Sequence, residues 1–334
     1  MFPKECGKDC CTLENCEFIV LPAQRTGNEV LYAYNTMQLL RVVRRIKPDI
    51  IFVEQGEHAL SYLQTIFVTK FVSPKSKLAF FSWINWKPKL SFKSKVFLGV
   101  TGWLCRKFSD GFIVGNKDAQ ELLTKKLSKV PNAVIPQLGV APQDSLIPVE
   151  HRGKKILFIG RLMKAKGVFE LLEAFLLLQN DFFEWQLHFV GSGPDKKELL
   201  KSAQKDDRNK VFFHDTVPHN EIFPIMKSAS ILVLPSRDTP EWREQFGHVL
   251  IEAMACGVAV IGGCGGAIPE VVGDAGIVLR RGDVSELKVS LRSLMSNDKL
   301  RKAFVEKGFD RVQALYAHEV IAEQISAFFK KLMS

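Results

Sequence analysis

From His58 to Ser109 the chain has no Asp or Glu, although nine Lys or Arg fall in the same stretch. Acid is the minority charge overall, with 46 Lys plus Arg against 36 Asp plus Glu and a formal net charge of +10. Long apolar runs are missing. None reaches the roughly 18–20 residues that a bilayer-spanning helix needs, and Ala79–Trp86 is typical in being too short. No signal peptide is visible, because the first 16 residues mix Lys, Glu and Asp with no apolar centre. The seven cysteines do not form a secreted disulfide framework. An odd count without an export signal favours reduced thiols and a cytoplasmic setting. Cys6, Cys10, Cys11 and Cys16 crowd the start but lack the paired C-x2-C spacing of a zinc module. A ragged N-terminus is the favoured reading there, and metal binding the alternative. With 46% hydrophobic and 25% charged residues, disordered, collagen-like and low-complexity classes are excluded.

At about 100–200 residues per domain, the 334 residues are enough for two. In the second half, Ile156–Gly160, Gln186–Val190, Val211–His214, Ile231–Pro235 and Val258–Ile261 read as short buried strands. Helical patterns over Gly167–Leu178, Asn220–Ser228 and Gly247–Cys256 alternate with them. Such alternation implies right-handed crossovers and a mostly parallel, doubly wound sheet. The first half repeats it less cleanly. Strands are expected over Phe18–Leu21, Asp49–Val53, Leu78–Phe81, Gly111–Val114 and Ala133–Ile135. A helix over Tyr32–Ile46 puts Leu39, Leu40, Val43 and Ile46 on one face. Asp144–Lys155, polar and without periodicity, is the expected linker. From Leu287 to Met333 the pattern is wholly helical, and a last helix over Glu319–Leu332 exceeds what the second domain needs. The expected division is 1–148, 149–315 and a terminal helix over 316–334.

Four strand-end loops in the second half carry charge or glycine. Glu244-Gln245-Phe246-Gly247-His248-Val249-Leu250-Ile251-Glu252 sets one carboxylate before a helix and another inside it. The helix start at Phe246–His248 offers backbone N–H groups and a positive dipole end, which suit a phosphate. Glu252 offers acceptor oxygens that suit ribose hydroxyls. Taken alone, the pair is equally a first-turn charge and a solvated face residue. Gly160-Arg161-Leu162, followed by Lys166-Gly167, puts a guanidinium and an ammonium on the loop after a strand. Ligands of open α/β sheets sit at such carboxyl-end crevices, and this pair can hold a diphosphate. Gly191 and Gly193 end another strand, and Gly262-Gly263-Cys264-Gly265-Gly266 a fourth, so that a ligand can approach the backbone closely. Phosphate-compatible and hydroxyl-binding loops together point to a nucleotide-sugar site.

On these residues, Lys155–Val271 resembles the donor-binding domain of the retaining GT-B glycosyltransferases, glycosyltransferase family four in particular. The matching pieces are FIGRLMKAKG at 158–167, FVGSGP at 189–194, LPSRDTPEWREQFGHVLIEAMACGVAVI at 234–261 and GGAIPEVVG at 265–273. PDIIFVEQ at 48–55 and VIPQLGV at 134–140 extend the likeness more weakly into the first half. The resemblance implies an α/β GT-B architecture, with two Rossmann-like domains facing a cleft and the last helix crossing back to the N-terminal one. It implies transfer of a hexose-type sugar, with retained configuration, from a UDP- or GDP-linked donor to a glycan or lipid-linked acceptor. No metal or other cofactor is implied. Arg161 and Lys166 match the pair on the donor diphosphate, Glu244 the carboxylate on the sugar hydroxyls and Glu252 that on the ribose. Phe246, Gly247 and His248 lend backbone N–H groups, and Gly191, Gly193, Gly265 and Gly266 bring backbone near the donor. Base contacts fall around Gly191–Pro194 and Val217–His219. His58, after the strand Asp49–Val53, is a candidate contact for the acceptor or the transferred sugar. Departure of the diphosphate develops charge, so fixed cations and a helix dipole are expected to stabilise it.

Members of the family begin with a strand and a Gly-rich loop, and nothing before Phe18 supplies these, so a shortened N-terminal domain is expected. Intact Arg161, Lys166, Glu244 and Glu252 favour an enzyme. The alternatives are a catalytically inactive sugar-nucleotide-binding paralogue or partner subunit, and a sugar epimerase on the same fold. Residues 1–150 hold 20 basic and 13 acidic side chains. In the acid-free stretch, Trp83, Trp86, Phe92, Phe97, Trp103 and Phe108 interleave with Lys87, Lys89, Lys93, Lys95, Arg106 and Lys107. A basic, aromatic surface over 58–109 suits an anionic membrane at its inner face, reached peripherally. Core aromatics with solvated lysines are the plainer alternative. Nucleic acid is not expected, for want of a binding motif.

Overall fold

The computed structural model describes residues 16–26, 30–86, 92–142, 146–204, 208–240 and 242–334, with 92–98 described by their backbone alone. Cys6, Cys10 and Cys11 lie outside these residues, as do Lys87 and Lys89, while Cys16 is a free, exposed thiol.

The first lobe opens with a short antiparallel pair, β1 (Ala23–Gln24) and β2 (Ala33–Tyr34), followed by α1 (Thr36–Ile46). The strands β3 (Ile50–Val53), β4 (Lys77–Ser82), β5 (Gly111–Val114) and β6 (Asn132–Val134) then lie side by side in that order, all parallel. Their crossovers carry α2 (Leu60–Val72), α3 (Phe92–Phe108) and α4 (Lys117–Thr124). The alternation within β4 explains the layering. Leu78 and Phe80 pack with Tyr62 and Ile66 of α2 and with Phe112. Ala79 and Phe81 belong to a separate cluster with Ile113, Ile321, Phe328 and Leu332. Both faces are covered, so the strand reads as a continuous apolar run. In α1, Leu39 and Val43 stand one turn apart and bury against Val68 of α2.

Two first-half expectations fail. Phe18–Leu21 is not a strand, and Phe18 and Val20 are exposed. Four apolar residues are ambiguous from pattern alone, and Pro22 directly after them has no ladder donor. The first helix starts at Thr36 rather than Tyr32. The Asn35 side chain caps it at Gln38 N, and Ala33 and Tyr34 are already paired with β1.

The second lobe runs β7 (Lys155–Ile159), α5 (Val168–Leu176), β8 (Gln186–Val190), α6 (Lys196–Ala203), β9 (Val211–His214), α7 (His219–Lys227) and β10 (Ile231–Leu234). It continues through α8 (His248–Ala255), β11 (Ala259–Gly262), α9 (Ile268–Val272) and β12 (Ile277–Val278), then α10 (Val284–Ser296), α11 (Asp298–Leu315) and α12 (His318–Met333). Its strands are all parallel, in the order β12-β11-β10-β7-β8-β9. From β7 the chain winds one way to β8 and β9, then returns to β10 on the other side of β7 and winds away. That reversal opens a crevice beyond the carboxyl ends of β7 and β10.

The chain crosses between the lobes twice, side by side, where Val140 pairs with Ala317 and Val140 N donates to Tyr316 O at 2.9 Å. After the second crossing, α12 lays Ile321, Phe328 and Leu332 on the first-lobe sheet. The segment read as a polar linker ends in a buried arginine. Arg152 donates to Ala229 O at 3.2 Å and Cys256 O at 2.6 Å, tying it to the second lobe. No helix among the described residues is long and apolar enough to cross a membrane.

Candidate active site

The two charged loops meet at the reversal point. Arg237 N, after β10, donates to Ala165 O, after β7, at 3.0 Å. Lys166 closes a 3-10 turn over Lys164–Lys166. Its Nζ lies 2.6 Å from Glu244 Oε2 and 4.9 Å from the centre of the Trp242 ring. The Ser236 hydroxyl donates to the same carboxylate oxygen at 3.1 Å. Both charged side chains are largely buried, at 16% and 10% exposed, so this pair is shielded from water and depends on keeping both partners. The sequence reading put Lys166 on the diphosphate and Glu244 on the sugar as separate groups; the structure joins them. Arg161, by contrast, is exposed and makes no ion pair among the described residues.

The backbone around Glu244 is equally fixed. Its carbonyl accepts from Ala267 N at 3.1 Å. Gly266 has φ +52°, and a Cβ there would sit 1.9 Å from Glu244 O, so no larger residue fits. The N–H of Gly266 donates to Asp238 Oδ1 at 2.8 Å and that of Gly265 to Ser236 O at 3.0 Å. The Gly191 N–H donates to His214 O at 3.1 Å, and a Cβ on Gly193 would meet Leu162 O at 2.2 Å. These glycines interlock the loops, and three of their four N–H groups already have acceptors.

Gly247, with φ +81°, turns the chain into α8, where Leu250 N donates back to Gly247 O at 2.9 Å and the N–H groups of His248 and Val249 have no helical acceptor. Glu252 is buried one turn into α8. Its Oε1 lies 3.1 Å from His248 Nδ1 and 3.2 Å from His219 Nε2. His219 starts α7, and its side chain is 60% exposed, so it marks the open side of the carboxylate. Phe246 is buried and packs edge-on to Tyr316, at the second lobe crossing.

His58 stays within the first lobe. Its Nε2 lies 2.9 Å from Glu57 Oε1, and it makes no hydrogen bond or ion pair with the second lobe among the described residues. Burial raises the Glu57 carboxyl, but the hydrogen bond and charge of His58 outweigh it and hold that carboxyl below its ordinary range.

The first-lobe residues that do reach the site were not anticipated. Asn85, after β4, donates through Nδ2 to Glu244 O at 2.9 Å. Asn116, after β5, donates through Nδ2 to Gln245 O at 2.7 Å. The Trp83 ring packs against Phe246 with centroids 5.7 Å apart. The available signal was a polar amide just beyond the carboxyl end of a buried strand, where ligand-facing residues collect. A cavity of about 430 Å³ lies beside this contact, lined by Asn116, Lys117, Phe246, Glu270, Arg311 and Tyr316 among others; Arg161, Lys166, Glu244 and Glu252 do not line it. No cluster of three metal-ligating side chains occurs among the described residues.

Residues 145–311 match the family model described as Glycosyl transferases group 1. Phosphatidyl-myo-inositol mannosyltransferase of Mycobacterium leprae is 32% identical over 214 residues, covering 63% of this chain and 55% of that protein. N-acetyl-alpha-D-glucosaminyl L-malate synthase of Bacillus anthracis is 28% identical over 186 residues, covering 54% of this chain and 46% of that one. The chain thus spans about half the length of the curated relatives it matches. Among solved structures, HepE of Anabaena in complex with UDP superposes with a TM-score of 0.72 at 17% identity, over 89% of this chain and 82% of that one. A glycosyltransferase of Rickettsia africae superposes with a TM-score of 0.70 at 16% identity, over 90% and 81%. These structural likenesses speak to the fold, two Rossmann-like lobes in the GT-B arrangement. By its matched half and its architecture together, the chain belongs to the glycosyl transferases group 1 family.

Proposed function

We propose that the chain transfers a hexose-type sugar from a nucleotide diphosphate sugar to a glycan or lipid-linked acceptor, with retained configuration. The observation that carries this reading is the buried Lys166–Glu244 pair at the strand-order reversal, with Arg161 on the same strand-end loop as Lys166 and Glu252 in the helix that follows Glu244. Arg161 and Lys166 hold the diphosphate, and the cations with the α8 dipole stabilise it as it leaves. A diphosphate beside Lys166 would share that ammonium with Glu244, whose carboxylate then faces the sugar hydroxyls. Glu244 orients rather than attacks on this reading, with its Oε2 held by Lys166 and Ser236. Glu252 receives the ribose hydroxyls. HepE was solved with UDP, and a Corynebacterium glutamicum relative is named as GDP-mannose-dependent, so both nucleotides belong in the test. On this reading 1–148 is the acceptor-side domain, 149–315 the donor domain and 316–334 the returning helix.

The acceptor side also presents a surface suited to an anionic membrane. The exposed apolar side chains overlap only in part with the aromatics read in the sequence: Trp103 of α3 is exposed as read and Trp83 is turned onto Phe246, while Phe67 and Phe71 of α2 and Val100 of α3 are exposed as well. Among them Arg106 and Lys107 are exposed too, and α1, α2 and α3 contain no Asp or Glu. Binding to phosphatidylglycerol vesicles that salt abolishes is the expected result, and salt-insensitive or absent binding removes the membrane.

The transfer reading is tested by incubating the chain with UDP- and GDP-sugars and acceptors, reading nucleotide release and product mass. Release of one nucleotide with a glycosylated product is expected. Binding without turnover across acceptors would instead assign a non-catalytic partner, and an epimerised sugar formed without acceptor would assign an epimerase.

A further inference from the structure

The loop Glu244–Phe246 is held from both lobes. The second lobe grips the Glu244 side chain through Lys166 and Ser236, and its carbonyl through Ala267 N. The first lobe grips only backbone and ring: Asn85 on Glu244 O, Asn116 on Gln245 O and Trp83 on Phe246. Both amides are buried, at 1% and 2% exposed, so an unmet N–H there is costly. Asn85 does nothing else. Its Oδ1 is buried without a partner, and the bond to Glu244 O is the one its side chain makes among the described residues. Asn116 faces two ways. Its Oδ1 accepts from Ala119 N at 2.8 Å and caps α4, while its Nδ2 crosses to the second lobe. Beside it, Glu270 of α9 accepts from Lys117 N at 3.2 Å, a second tie between α4 and the donor lobe.

We propose that Asn85 and Asn116 are positioning residues that couple closure of the two lobes to the placement of Glu244. With the lobes together, Glu244 is pinned at its carboxylate by one lobe and at its carbonyl by both. When the lobes part, Lys166 and Ser236 stay with Glu244, but Asn85 and Asn116 withdraw and the carbonyls of residues 244 and 245 lose their cross-lobe donors. The site is therefore complete only when the first lobe closes on it. A donor held by the second lobe alone waits for closure before the sugar is transferred. This coupling rests on the proposed transfer reading for its consequence, but the contact itself exists without a donor.

Asn116→Asp separates the two tasks of that side chain. The carboxylate still caps Ala119 N but has no hydrogen to give Gln245 O. Asn85→Asp removes the other donor at nearly constant volume. In the full chain, both variants are expected to keep the wild-type affinity for UDP and GDP, and any fall in melting temperature from the buried carboxylate is set against uncharged Asn116→Ser. Their radius of gyration by small-angle scattering rises, and the fluorescence of Trp83, packed on Phe246, changes. Turnover falls by roughly tenfold to a hundredfold with donor KM unchanged, the penalty of a misplaced group. Asn116→Ser, which also caps but cannot reach, gives the same pattern. Wild-type compactness with wild-type kcat overturns the proposal, and so does a kcat loss that only tracks a loss of stability. Scattering needs no donor, so absence of nucleotide binding would end the transfer reading while leaving the clasp separately decided.

Discussion

Where the lobes meet around Glu244–Phe246, the second presents the Lys166–Glu244 pair and the first presents Trp83, Asn85 and Asn116. Around Glu244–Phe246 charge stands on one side and amide and indole on the other, while Lys117 and Asp118 of the first lobe pair with Glu270 and Arg243 of the second at 3.7 and 3.8 Å. The charged groups are built from loops after neighbouring strands and grip each other, whereas the amides grip backbone carbonyls of the opposite lobe. The two sides also fail differently. Removing one partner of a buried ion pair costs about 3–5 kcal/mol, whereas a neutral hydrogen bond is worth about 1 kcal/mol. On the proposed reading, chemistry and its stability are concentrated in the second lobe, and the first contributes position.

The sharpest way to break this contrast is Lys166→Ala. It strands the buried Glu244 carboxylate, so urea unfolding should show a loss of about 3–5 kcal/mol, and turnover should fall by about 10²–10³-fold. The double variant Lys166→Met with Glu244→Gln should recover much of the stability and none of the activity. Recovery of activity would separate the pair from the chemistry.

A next test asks whether the lobes are independent in binding. Leu332→Ala, in the contact of α12 with the first-lobe sheet, should cost about 2–5 kcal/mol in urea. UDP or GDP affinity of the remaining folded protein should stay unchanged. A parallel fall in affinity would show that the donor crevice depends on the first lobe for its shape.

The smallest effect expected is one of pH, inside the second lobe. Burial first, then the charges of His214 and Lys155, pushes His188 down from 6.5 to about 4. The folded state therefore resists protonation that the unfolded chain accepts. His188 contributes stability above pH 6.5 that is lost as pH falls from 6.5 towards 4. The melting temperature should fall over that window, and His188→Gln should flatten the fall. An unchanged slope would exclude His188 as its source.

How legible each side was in the sequence follows the same division. The second-lobe strands were readable because both faces of each are covered, which leaves unbroken apolar runs such as Ile231–Leu234. The charged loops were readable because Arg161 and Lys166, and Glu244 and Glu252, are close in the chain. Their joining was not, because Lys166 and Glu244 are 78 residues apart. Asn85 and Asn116 act on carbonyls 159 and 129 residues away, and an amide–carbonyl bond needs no side-chain motif at its other end. Whether Trp83 faces a surface or the core was open in the sequence, because it heads a stretch rich in Lys and free of acid. It is an inward residue, and a Cβ on Gly115 would lie 1.8 Å from its ring. The β1–β2 pair was missed because two-residue strands carry no periodicity.

The measurement that bears most directly on the account is calorimetric titration of UDP and GDP into the wild-type chain and into Glu252→Ala. The account predicts that one nucleotide binds the wild type and that the variant binds it about tenfold to a hundredfold more weakly, the loss of a charge-assisted hydrogen bond. Binding of neither nucleotide, or equal binding to both proteins, would contradict a donor site in the second lobe.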